Sequence, residues 1–62
     1  MLTAIKRMWT VWRFQSPTSG ETKIVARPYE PDDKLYQHEY QRVLWQGLAY
    51  DAQDALSCFS RA

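Results

Sequence analysis

Cysteine occurs once in this chain, at Cys58, and histidine once, at His38. A lone thiol makes no intramolecular disulfide. One thiol and one imidazole also fall short of the ligands a structural zinc site needs. Glycine is nearly as scarce: Gly20 and Gly47 stand far apart, so no glycine-rich loop can cradle a phosphate. No apolar run exceeds three residues, the longest being 24–26, 43–45 and 48–50. A membrane-crossing helix needs ~20. The basic pair Lys6-Arg7 follows the first apolar residues instead of preceding them, the reverse of a secretory signal. With no disulfide to staple so small a domain, the expected compartment is the cytoplasm.

Catalytic groups are equally thin. His38 and Glu39 are neighbours in sequence and point apart in any regular element, so they cannot serve one proton. Cys58 falls beside the apolar stripe of a C-terminal helical pattern. It reads as a packing residue. Asp32, Asp33, Asp51 and Asp54 read as turn and capping residues. The expectation is a chain that is not an enzyme and uses neither cofactor nor metal.

What remains is a single small domain, residues 1–62, rich in aromatics: three Trp, four Tyr and two Phe. Its net charge is +1, unevenly distributed. Residues 1–28 hold five bases against Glu21, whereas residues 29–62 hold three bases against six acids. Such a chain lacks the basic excess of a dedicated duplex-DNA binder.

Residues 7–14 are rich in β-branched and aromatic side chains and read as a strand. Ser16-Pro17-Thr18-Ser19-Gly20 supplies turn chemistry, and residues 22–27 read as the returning strand, ended by Pro28. Alternation sets Met8, Thr10, Trp12 and Phe14 on one face, with Trp9, Val11 and Arg13 on the other. Residues 28–34 form a proline-flanked acidic connector. Asp51 resembles a fresh helix N-cap, with Asp54 in the first turn and Ala52, Ala55, Leu56 and Phe59 on one stripe ending at Arg61. A fresh cap implies that the segment before it is not helical, so residues 40–49 are expected to form a third strand. The predicted fold is α+β: a three-stranded antiparallel sheet with one C-terminal helix, in the order β-β-β-α. The alternative is a β-hairpin followed by two helices, residues 33–46 and 52–61.

With chemistry set aside, binding is the expected function. Trp, Tyr and Arg dominate protein interfaces, because they bring large area and a polar handle at low rotamer cost. The candidate partner-binding residues are Tyr29, Tyr36, Tyr40, Trp45, Trp9 and Arg13, on a non-enzymatic protein-binding module acting as an inhibitor or adaptor. The alternative is a single-stranded nucleic-acid platform on the hairpin, with Arg7, Trp9, Val11 and Arg13 beside Lys23, Val25 and Arg27. An exposed strand edge offers a further mode, self-association into a homodimer or strand addition to a partner. No membrane partner is expected. Cofactor-free chains of this length include phage- and plasmid-encoded accessory proteins, an association of format alone.

Overall fold

The computed structural model of the chain describes residues 4–62. Strand β1, Arg7–Gln15, runs through the middle of one antiparallel sheet. It is flanked by β2, Thr22–Pro28, and by β3, Gln41–Ala49, in the order β2-β1-β3. Helix α1, Ala52–Arg61, follows directly. The β-β-β-α arrangement expected from the sequence is therefore what the chain forms. The hairpin-plus-two-helices alternative fails at residues 41–49, which are strand. Among the described residues, the only helical turn before them is a 3-10 turn, Asp33–Tyr36.

The β1–β2 hairpin closes as its turn residues dictate. Ser16 N donates to Glu21 O at 2.8 Å and Gly20 N donates to Ser16 O at 2.9 Å. Gly20 sits at φ 76°, a conformation that favours glycine. The β1–β3 pairing is less regular. Val11 lies opposite Trp45 but Trp12 opposite Val43, so Leu44 is an inserted residue, a β-bulge.

The two faces of β1 are covered by different means. On the first, Val11, Ala49 and Ala55 form the buried centre, with Trp9, Ala26, Trp45, Leu56 and Phe59 packed around them. The stripe predicted for the helix is thus the one that meets the sheet, with Ala52 half-buried at its start. Asp51 caps this helix as expected: its Oδ1 accepts from Asp54 N at 2.7 Å. Asp54 Oδ2 in return accepts from Tyr50 N at 2.9 Å. On this face Gly47 has a steric role, because the Trp45 indole lies against its Cα and occupies the space a Cβ would take.

On the second face the acidic connector does what the helix does on the first. Asp33 is buried, and its Oδ2 accepts from Thr10 Oγ1 at 2.5 Å and from Glu30 N at 3.0 Å. Thr10 Oγ1 in turn accepts from Gln46 Nε2 at 3.3 Å, so one hydroxyl links connector, β1 and β3. Thr10, Val11 and Trp12 are consequently all buried, although they are consecutive on a strand. Asp33 reads from sequence as a turn residue. It is instead the pin that holds the connector to the sheet.

Three substitutions test these contacts. Gly47→Ala is expected to lower unfolding stability by about 1–3 kcal/mol, since a Cβ would lie 2.7 Å from Trp45 Cη2 and the ring must move. Asp51→Ala is expected to cost about 1 kcal/mol through loss of the cap. Thr10→Val removes one donor from the buried Asp33 carboxylate and is expected to cost about 1–3 kcal/mol. Amide exchange across residues 29–36 should accelerate in that variant. Unchanged exchange there would show that the connector is held by something else.

Candidate functional site

Antiparallel register decides which side chains share a face, because residues directly opposite one another point the same way. Trp9, Val11 and Arg13 lie opposite Pro28, Ala26 and Ile24 on one side, and opposite Gly47, Trp45 and Arg42 on the other. That is the face α1 covers. The opposite face carries Thr10 between Arg27 and Gln46, Trp12 between Val25 and Val43, and Phe14 between Lys23 and Gln41.

The six sequence-predicted partner-binding residues do not form one surface. Trp9 and Trp45 belong to the helix side of the core and are half-buried. The Trp9 indole N–H donates to Ala49 O at 3.1 Å, which satisfies the polar end of that side chain within the fold. Arg13 is exposed at the hairpin end of the same face, directly opposite the exposed Arg42. Tyr36 is 62% exposed on the 3-10 turn. Tyr40 is exposed beside β3, its ring edge-on to His38 with centroids 6.2 Å apart. His38 has a turn role there, Nδ1 accepting from Tyr40 N at 3.2 Å.

Tyr29 is the residue that leads to a coherent patch. Its N–H donates to Met8 O at 3.1 Å, which continues the β1–β2 ladder past Pro28 and sets Tyr29 beside Met8. Met8 lies opposite Leu48 on β3. Tyr29, Met8 and Leu48 therefore form an apolar row across all three strands, on the face away from α1, and all three are exposed. Tyr50 continues it, with Lys6 Nζ 5.2 Å from its ring centroid and Arg27 at the other side of the row. Met8, Leu48 and Tyr50 are absent from the sequence-predicted set. Their adjacency depends on strand order and on the Leu44 bulge, and no local pattern contains either.

The basic and aromatic residues considered as a nucleic-acid platform are divided by the same register. Trp9, Val11 and Arg13 share their face with Ile24 and Ala26, whereas Lys23, Val25 and Arg27 point to the other side. Val11 and Trp9 also lie under the helix. On the far face Arg27 packs its guanidinium over Phe14 at 4.8 Å, an intramolecular use of that cation.

A depression of about 350 Å³ lies at the hairpin end, bounded by Phe14, Gln15, Glu21 and Lys23 among others. It contains no nucleophile paired with a base. Among the described residues no group of three or more His, Cys, Asp or Glu side chains is placed to hold a metal. No helix there is long and apolar enough to cross a membrane. Cys58 is half-buried, with Arg61 Nη2 3.6 Å from its Sγ. Compared with protein families, curated proteins and solved structures, the chain matches none of them, so its reading rests on these residues.

Proposed function

We propose that this chain is a non-enzymatic protein-binding module, an inhibitor or adaptor, whose recognition surface is the sheet face away from α1. The observation that carries this reading is the exposed Tyr29–Met8–Leu48 row, extended by Tyr50. Among the described residues four hydrophobic side chains are buried, whereas Leu48 is 56% exposed and Tyr50 52% exposed. An apolar row that spans every strand, while the core takes in so little, is poorly explained by folding alone. Its make-up suits a protein partner. Tyrosine and methionine are enriched at interfaces, tyrosine for its rigid area and methionine for its adaptable shape. Lys6 lies at the Tyr50 end of the row, so the complementary surface is apolar at its centre and acidic at that end.

The two exposed tyrosines of the connector side, Tyr36 and Tyr40, together with the arginine pair Arg13–Arg42, lie away from this row and are assigned no part in it. Nucleic acid is the weaker reading, because the bases are split between faces and the acidic connector packs on the candidate face. A partner surface of this kind also accounts for a near-neutral chain, since binding then draws on buried area more than on long-range charge.

The test is capture of partners by the full chain from an extract with and without nuclease treatment, followed by affinity measurement on the protein recovered after nuclease. Tyr29→Ala and Met8→Ala are each expected to weaken binding by about 30-fold, roughly 2 kcal/mol, with Tyr36→Ala near wild type. Salt between 50 and 200 mM should change affinity only modestly. Recovery of nucleic acid alone, or a steep salt dependence set by Lys23 and Arg27, would overturn the assignment.

A further inference from the structure

The outer edge of β3 is closed everywhere but in one stretch. Gln15 N donates to Tyr40 O and Tyr29 N donates to Met8 O, so odd-numbered residues of β1 bond to β3 and even-numbered ones to β2. Carried through the register, the outward main-chain groups of β3 belong to Gln41 and Val43 and, beyond the Leu44 bulge, to Gln46 and Leu48. Tyr50 comes next. The fold caps three of these itself. Gln41 exchanges both main-chain bonds with His38, at 3.0 and 3.1 Å. Val43 N donates to the Gln37 side-chain oxygen at 2.9 Å, and Tyr50 N to the Asp54 carboxylate. Among the described residues, no hydrogen bond from outside the sheet reaches the main-chain groups of Gln46 and Leu48.

We infer that this gap is filled by the same gap of a second copy, paired antiparallel about a two-fold axis at Gly47. The open stretch runs from Leu44 to Tyr50, bounded by Gln37 at one end and by the chain's departure into α1 at the other. Its midpoint is Gly47. Self-pairing about that residue sets Gln46 opposite Leu48 of the second copy, and Leu48 opposite its Gln46, which matches both outward pairs. Any other centre drives one strand into Gln37 or leaves an outward pair unmatched. Gly47 has no side chain to keep the backbones apart at the axis. The half-buried Trp45 falls opposite Ala49 of the second copy, a small residue beside a large one. Every contact is made twice across the axis, as a two-fold interface requires.

Such pairing extends the sheet across both copies and removes the edge that nothing else protects. It uses main-chain groups of β3 and leaves the Tyr29–Met8 end of the apolar row open. It therefore stands whether or not that row is a recognition surface. The strand contact is shorter than a standard interface of ~800 Å² per partner, so the dimer is expected to depend on concentration.

Sedimentation and amide exchange on the full chain test it together. The mass should rise toward twice 7.4 kDa as concentration increases. Exchange at Gln46 and Leu48 should slow in step, by about tenfold or more, while exposed amides elsewhere are unchanged. Leu48→Pro removes an outward N–H without touching the β1–β3 ladder, and should hold the chain monomeric with its circular dichroism intact. Should that variant fail to fold, Leu48→Lys places like charges diagonally across the axis and should do the same. A chain that stays monomeric at millimolar concentration overturns the inference. So does a dimer in which Gln46 and Leu48 exchange as freely as in dilute solution.

Discussion

The structure depends on burying the middle of β1 from both sides. Thr10, Val11 and Trp12 are consecutive, so on a strand they point alternately up and down, yet all three are shielded from water. A three-stranded sheet with one helix covers only one face. Here the second cover is an irregular connector, and an irregular segment has no hydrophobic stripe to lay down. It is held by a polar contact instead, the Asp33 carboxylate accepting from the Thr10 hydroxyl and from the Glu30 amide. A buried carboxylate is costly unless its oxygens find donors, and once they do it fixes geometry more sharply than apolar contact would. Among the described residues no buried side-chain polar atom lacks a partner.

That solution sets the character of the surface. The helix stripe, Ala55, Leu56 and Phe59, covers the centre of its face, and small residues opposite it, Ala26, Gly47 and Ala49, let it approach closely. Trp9 and Trp45 then fill the space at its flanks, with Gly47 making room for the indole of Trp45. The connector is pinned at Thr10 and leaves the row below it, Tyr29, Met8 and Leu48, without a cover. A small domain has too little interior for all its large side chains. Where the surplus lies follows from where the covers end.

The same economy explains the edges. β2 carries Lys23 and Arg27 and ends in Pro28, all features that discourage further pairing. β3 has its first half capped by His38 and Gln37 and its last outward amide capped by Asp54. The remaining gap is short and symmetric about Gly47. A strand edge of that form favours a partner of the same form over an arbitrary extended chain, because only a short segment fits between its ends.

Local chemistry was enough to determine the element order, the hairpin turn and the helix. Ser16 to Gly20 is a turn by residue type, and Asp51 with Asp54 is a cap by spacing, so both act over a few residues and need no tertiary partner. The stripe of α1 was legible for the same reason. Gly47 illustrates the limit: a glycine disfavours a helix through residues 40–49, but its reason for being glycine is the ring of Trp45, and nothing local announces that contact. The aromatic candidates were less legible still. Trp9 and Trp45 look like recognition residues by type and prove to be half-buried beneath a helix, while Met8 and Leu48 look unremarkable and lie exposed side by side. Which face a strand residue takes depends on strand order, and the single inserted residue at Leu44 changes the face assignment of half of β3. Side-chain identity sets what a residue can contact; long-range pairing sets what it does contact, and that was decided only in the tertiary structure.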